Sequence, residues 1–376
     1  MTSATARDPH LDNAKFLAIV LVVVPHAWHP LGGGHLPDSA HLFIYLFHMP
    51  LFIGLAGYLS RGFVAGRDRT EKLLCGVLAP YLLFDALYPV FRTVLADRTY
   101  VWSPLSPYYL AWFLLALLAW RLSVPLWRRL RHPVLVAVGL SLLAPAVALP
   151  DPVVARILGY LPFFVLGLCL RAEHLRYLRV PRVRIAAAAL LGLTAVAALI
   201  AEPYVRLEWL HWRDTYADLG VTPLTGAAVR LALIAAGVVL AVAFLALVPA
   251  RTFRFTPLGG NTLYPYLWHG VFIQVAEYAG AYAWLNAAVG RHAAYGIAAS
   301  LGVVAAVVLS VSWVRRLTGP FVEPRLTALL RPRPGPAKST SPAAHPETPQ
   351  GGRPAVNPEV PQGRHPAVPS ARVGEE

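Results

Sequence analysis

The chain has 376 residues, 57% of them hydrophobic and only 14% charged, with a mean hydropathy of +0.54. A soluble domain carries about 45–50% apolar and about 25% charged residues, so the composition excludes a soluble enzyme of two or three domains and points to one polytopic membrane unit. The formal net charge of +14 calls for no nucleic acid, because the basic residues sort by loop.

Ten oily segments follow one another, at approximately 14–30, 41–60, 73–95, 108–127, 133–149, 153–170, 184–201, 228–248, 262–285 and 293–314. Each is near the ~20 residues that carry a helix across ~30 Å of hydrocarbon, and none alternates as a barrel strand would. The first run is followed by many more and by no small-residue cleavage site, so it reads as a span rather than a removable signal. The expected fold class is all-α: a polytopic membrane protein of about ten transmembrane helices in one bundle, with a disordered C-terminal tail. With the N-terminus placed inside the cell, 21 basic residues fall in inner segments and 7 in outer segments and edges. This asymmetry predicts a multi-pass protein of the plasma membrane with both termini cytoplasmic.

Residues 332–376 are a different material, rich in Pro, Gly, Ala and Ser, and PQGGRPAV at 349–356 returns as PQGRHPAV at 361–368. Such a segment buries too little surface to offset its chain entropy and reads as a disordered cytoplasmic tail. Cys75 and Cys169 each lie inside an oily span. They read as small apolar fillers, and no disulfide framework or metal-ligand spacing is present, so no metal site is expected.

The titratable residues that stand out within the spans are Lys15, His26, His29, His48, Asp85, His269 and Glu277. Such groups are costly in lipid and are functional candidates by default. On the first helix, Lys15 and His26 are 11 residues apart, which returns to within ~20° of the same direction and separates them by ~16 Å along the axis. Asp12 and His29 flank that stripe. Lys15 suits either a snorkelling interfacial cation or a holder for an anionic group entering from the cytoplasm. His26 lies deeper, beside Pro25, and suits proton transfer, since an unperturbed imidazole titrates near ~6.5. His29, next to Trp28, reads as interfacial.

The second span, HLFIYLFHMPLFIGLAGYLSRGF, places His48 in the outer half, either against the bent backbone at Pro50 or lateral to His26. Its Gly54 and Gly57 admit a close helix neighbour. In the third span, Asp85 needs a partner or water. The ninth, LGGNTLYPYLWHGVFIQVAEY, offers Asn261 as N-cap, with His269 ~7 residues from the cytoplasmic side and Glu277 ~80° around the helix, able to line one cavity with it. An outer loop, EPYVRLEWLHWRDTYADLGVTP at 202–223, mixes aromatic and acidic residues; it fits either an interfacial belt or a sugar-holding surface.

Six stretches now stand in order: LDNAKFLAIVLVVVPH, FHMPLFIGLAGYLSRGF, LAPYLLF, LAWFLLALLAWRL, YLPFFVLGLCLR and GGNTLYPYLWHG. Together they resemble acyltransferase family 3, and within it the branch described as fucose 4-O-acetylase and related acetyltransferases. The resemblance covers about residues 10 to 320, read as one membrane acyltransferase domain, and its most specific element is a basic residue eleven before a histidine. It implies a ten-helix bundle. It also implies transfer of an acyl group, acetyl by default, from acyl-CoA to a hydroxyl of a carbohydrate or related acceptor. Acyl-CoA is then a co-substrate, and no cofactor is bound. The partners implied are a small-molecule acyl donor, a carbohydrate or glycosylated acceptor and the lipid bilayer, with no nucleic acid.

The family's essential histidine corresponds to His26 and its basic partner to Lys15, with Asp12 fixing the lysine. Many members have Arg at that position, and Lys lacks its two-pronged grip on phosphate or carboxylate. Pro25 stands where Gly is common, and Ala56 where Ser is common. The catalytic set is therefore His26, Lys15 and Asp12, and the substrate-binding candidates are His48, His269, Glu277 and Asn261. The alternative is a proton-coupled transporter or exporter using the intramembrane histidines; the lack of an internal repeat counts against it.

Overall fold

The computed structural model describes residues 8–63, 71, 73–96, 102–147, 149 and 151–324. Every regular element among them is helical. The expected disordered tail at 332–376 lies outside the described residues.

In chain order the helices longer than two turns are α1 (Pro9–Trp28), α2 (His35–Tyr45), α3 (His48–Leu59), α4 (Ala79–Ala96), α5 (Trp112–Trp127), α6 (Pro133–Leu143) and α7 (Pro152–Cys169). There follow α8 (Pro181–Ala201), α9 (Pro223–Leu247), α10 (Leu263–Tyr278), α11 (Ala281–Val289), α12 (Arg291–Leu309) and α13 (Ser312–Val322). The starts are written locally. Asp8 accepts from His10 N at 2.9 Å with Pro9 at the first helical position, and Asp151 accepts from Val153 N at 2.7 Å ahead of Pro152. Thr222 and Pro223 repeat the device at α9. A side-chain acceptor satisfies a free helix N–H, and proline loses nothing where no N–H bond would form.

All ten oily segments are helical, and 7 helical stretches are long and apolar enough to cross a membrane. These are α1, α2 with α3, α4 with the π-helical turn Leu74–Leu78 ahead of it, α7, α8, α9 and α12. The other three segments make shorter helices: α5 and α10 have 16 residues each and α6 has 11. The second span is not one continuous helix. It breaks at Leu46–Phe47 and restarts at His48, because Pro50 has no N–H to offer the Leu46 carbonyl.

Small residues set the closest crossings. A methyl group at Gly57 would overlap the Phe164 carbonyl, and one at Gly167 would overlap the Gly54 carbonyl. The neighbour expected at Gly54 and Gly57 is therefore α7, meeting α3 through glycine on both sides. Helix α1 runs through the interior, with Ala14, Ala18 and Ile19 fully buried. On one flank Gly302 of α12 lies against Val24 and Ala27. Near its start the short 3-10 helix Thr256–Gly260 presses Gly259 onto the backbone of Asp12.

Candidate active site

The site is built along α1. At its first turn Lys15 Nζ meets Asp12 Oδ1 at 2.7 Å, with 22% and 10% of the two side chains exposed. Asp12 thus directs a cation that is otherwise mobile on a four-carbon stem. Next to it, buried Asn13 donates from Nδ2 to the carbonyls of Pro249 (2.8 Å) and Arg251 (2.9 Å) and accepts from Thr256 Oγ1 at 2.6 Å. Those three bonds hold the α9–α10 connection against α1. Sequence reasoning missed Asn13; its signal was an uncharged amide on the buried face of an oily helix.

Above this turn lies a cavity of about 210 Å³, with Lys15 and Arg121 among mostly apolar walls that include Phe113, Thr262, Leu263 and Tyr266. Arg121, from α5, also donates to Ser60 Oγ at 3.3 Å. Because Thr262 and Leu263 share this cavity with Lys15, α10 begins inside the bundle, above the first turn of α1.

That start corrects the expected depth of His269. Its ring is 5.4 Å from the ring of His26, centroid to centroid, so the two histidines share one level. Three histidines use one device: His26 Nδ1 bonds the Val22 carbonyl at 2.7 Å, His48 Nδ1 bonds Ile44 at 3.0 Å, and His269 Nδ1 bonds Pro265 at 2.6 Å. A carbonyl only accepts, so each neutral ring carries its hydrogen on Nδ1 and leaves the lone pair on Nε2. His48 Nδ1 thus bonds a backbone carbonyl one turn earlier, and its ring packs 4.4 Å from Tyr45. Tyr45 in turn stacks on His41 at 3.7 Å, and His29, largely exposed, lies 6.1 Å from His41.

Tyr109 faces His26 at 6.4 Å, edge to face, and stands with φ at 55°, a conformation that a bulky residue rarely holds. Asp85 explains how. Its carboxylate accepts from Tyr108 N at 2.7 Å and from Trp102 Nε1 at 2.8 Å, which ties the segment before Tyr109 to α4. Tyr88 adds a perpendicular ring 5.5 Å from Tyr109 and donates its hydroxyl to the Leu267 carbonyl at 2.7 Å. Gly270 completes the contact, since a Cβ there would come within 3.1 Å of the Tyr109 ring. Asp85 thus has its partners, and its work is positioning.

Two candidates sit elsewhere. Glu277 is exposed near the end of α10 and is absent from the walls of the cavity that His269 lines. The cavity is lined by the α10 face that carries His269, Phe272, Ile273 and Ala276, and the ~80° between His269 and Glu277 turns the carboxylate off that face. Asn261 is not an N-cap. Thr262 holds that position, and Asn261 donates to the Ser310 carbonyl at 2.9 Å while accepting from Arg315 at 3.4 Å, tying α10 to the end of α12.

The 202–223 loop divides its aromatic residues, with Tyr204 85% exposed. Trp212 and Tyr216 are each 2% exposed and plug into the bundle, while Glu202 is bonded to His35 at 2.9 Å. Behind the plug lies Arg230 of α9, 1% exposed, 4.8 Å from the Trp212 ring, with no hydrogen-bond partner among the described residues. The Tyr216 ring is 6.0 Å from the same cation, and ring faces attract it. Counted from sequence as an outer-edge cation, it is a buried one. Arg156 lies 4.9 Å from Trp112 and donates to the His211 carbonyl at 3.3 Å. In this loop, burial and then the nearby Arg213 and Arg156 pull the His211 imidazole down to about 4.

Apolar helices enclosing a set of tautomer-fixed imidazoles, with a paired lysine one cavity below, define an integral membrane protein with a buried site suited to proton transfer. The family model described as "Acyltransferase domain" matches residues 8–312. The chain belongs to acyltransferase family 3 and is a membrane acyltransferase. No curated protein and no solved structure matches it.

Proposed function

We propose that this acyltransferase moves an acyl group, acetyl by default, from acyl-CoA held at the cytoplasmic side to a hydroxyl of a carbohydrate or related acceptor. The observation that carries the reading is the fixed tautomer of His26. Its Nδ1–H is committed to Val22 at 2.7 Å, which leaves an Nε2 lone pair as the base a hydroxyl needs. In the reaction the acceptor oxygen attacks the thioester carbonyl as its proton passes to His26 Nε2. The C–O bond forms, the C–S bond breaks, and the proton on His26 goes to the departing thiolate of CoA.

Lys15 and Arg121, both in the walls of the lower cavity, provide the positive charge that phosphate-bearing CoA requires, and Asp12 orients Lys15 at 2.7 Å. The ~16 Å rise from Lys15 to His26 suits a donor whose thioester lies at the end of a long arm. Arg156 and the histidines toward the far end of α1 supply polar groups for a hydroxylated acceptor.

The test is release of free CoA from acetyl-CoA by the purified protein in nanodiscs. Release that rises when glycans or glycosides are added supports the reading. Solute counterflow in proteoliposomes, with no CoA released under any acceptor, would replace it with transport.

A further inference from the structure

On the far side of His269 lies a second cavity of about 210 Å³, between α1, α10, α11 and α12. Val23, Ala27, Ala276, Ala298 and Gly302 contribute to an almost wholly apolar wall. Alanine and glycine leave here the room that larger side chains would fill. Phe272 and Leu301 flank the cavity and are 55% and 59% exposed on the outer surface of the bundle, where a bilayer would meet them.

Two residues break the apolar pattern, Tyr282 and His269. His269 forms part of the wall, is itself 1% exposed, and its Nε2 has no partner among the described residues. Because Nδ1 bonds the Pro265 carbonyl at 2.6 Å, Nε2 presents a lone pair to whatever lies against it. A buried acceptor calls for an O–H or N–H donor. A lipid tail carries none and the thioester group carries none, while the amide N–H groups of the pantetheine arm sit on a polar chain that this mostly apolar wall does not suit. An alcohol carries one.

We propose that this cavity holds the apolar body of the acceptor, and that the acceptor is an amphiphilic alcohol whose hydroxyl bonds His269 Nε2 on binding and turns its one hydrogen to His26 Nε2 for the transfer, the two imidazole rings lying 5.4 Å apart, centroid to centroid. The inference rests on the acyl-transfer reading above and names the acceptor's chemistry. An engineered cavity of about 150 Å³ holds benzene, so a body of roughly six to ten carbons fits here. A sugar hydroxyl on an apolar aglycone and the terminal hydroxyl of a long alcohol share this chemistry.

Two arms test it, both with the full chain in nanodiscs. The first uses no acyl-CoA. An eight-carbon alkan-1-ol carrying a diazirine is compared with the matching diazirine alkane, and labelled residues are mapped by mass spectrometry. The alcohol is expected to label the α10–α12 wall at least about tenfold more than the alkane, the effect of one good hydrogen bond. Ala276→Phe, which fills the space, removes that labelling; Ala298→Leu serves the same purpose if the first variant does not insert. Equal labelling by alcohol and alkane, or alcohol labelling that survives filling, overturns the proposal.

The second arm supplies acetyl-CoA with methyl glucoside, octyl glucoside or octan-1-ol. The expected result is kcat/KM at least about tenfold higher for octyl than for methyl glucoside, or for octan-1-ol if the terminal hydroxyl is the one used. In Ala276→Phe that preference collapses, a control for simple partitioning into lipid. Equal kcat/KM for methyl glucoside and both eight-carbon acceptors in the unaltered protein overturns the assignment. Intact alcohol labelling with no CoA released to any of the three overturns transfer to alcohols, and with it the acceptor role, but not the alcohol site.

Discussion

At the scale of single residues, the site depends on which ring nitrogen carries a hydrogen. The Val22 carbonyl decides this for His26. Removing the ring removes the base, and general base catalysis contributes about 10²–10⁴-fold. His26→Ala is therefore expected to lower acyl transfer by at least ~10²-fold while membrane insertion is unchanged; transfer at the unaltered rate would show that another group takes the proton. Lys15 acts at a distance from the reacting atoms. Lys15→Ala should raise KM for acyl-CoA by about tenfold, with a smaller effect on kcat, and Lys15→Arg should restore it, because the positive charge is what the donor needs. A change confined to KM for the acceptor would place the donor elsewhere. Both residues were legible from an eleven-residue spacing on one oily helix. Tyr109 was not: nothing in PLSPYYLAW announces a positive φ, and the carboxylate that anchors the segment comes from Asp85 on another helix.

At the scale of elements, α10 carries the largest difference between expectation and structure. An oily stretch read alone starts at the membrane surface. Here the 3-10 helix Thr256–Gly260 is tucked against α1, so α10 starts at the level of the Lys15 cavity and lifts His269 to His26. The contact depends on Gly259 against Asp12, a close approach that only tertiary packing reveals. The loop between α8 and α9 behaves likewise: its Trp212 and Tyr216 are a plug, and His211 is held neutral within it, its imidazole pulled down from 6.5 to about 4 by burial and neighbouring arginines. An unfolded His211 takes its proton first as pH falls. The loop's contribution to stability is therefore complete above 6.5 and is lost as pH falls from 6.5 toward 4. Thermal unfolding between pH 7.5 and pH 4 should show that loss, and His211→Gln should flatten it; an unchanged slope in the variant would assign the loss to other groups.

At the scale of the whole molecule, ten helical segments imply an even number of crossings, if the three shorter helices also traverse a locally thinned bilayer. Both termini would then share one side, and we propose from the excess of Arg and Lys in alternate loops that this side is the cytoplasm. In a chain with Cys75 and Cys169 replaced by Ala, cysteines at positions 2 and 370 should resist an impermeant maleimide applied to cells. A cysteine at Tyr204, which is 85% exposed, should react. Opposite behaviour of the two terminal positions would require an odd number of crossings.

The amino-acid sequence by itself determined the all-helical membrane class, the ten oily segments, the glycine pair that receives another helix, and the stripe that joins Asp12, Lys15 and His26. These are properties of hydropathy and of one helix's periodicity, and a single segment contains them. Only the tertiary structure decided that His269 meets His26, that Asp85 serves Tyr109, that Asn261 and Glu277 lie away from the histidines, and that an apolar cavity backs the second imidazole. Each of these depends on where one helix begins relative to another, and that offset is set by loop packing and glycine contacts between segments far apart in the chain.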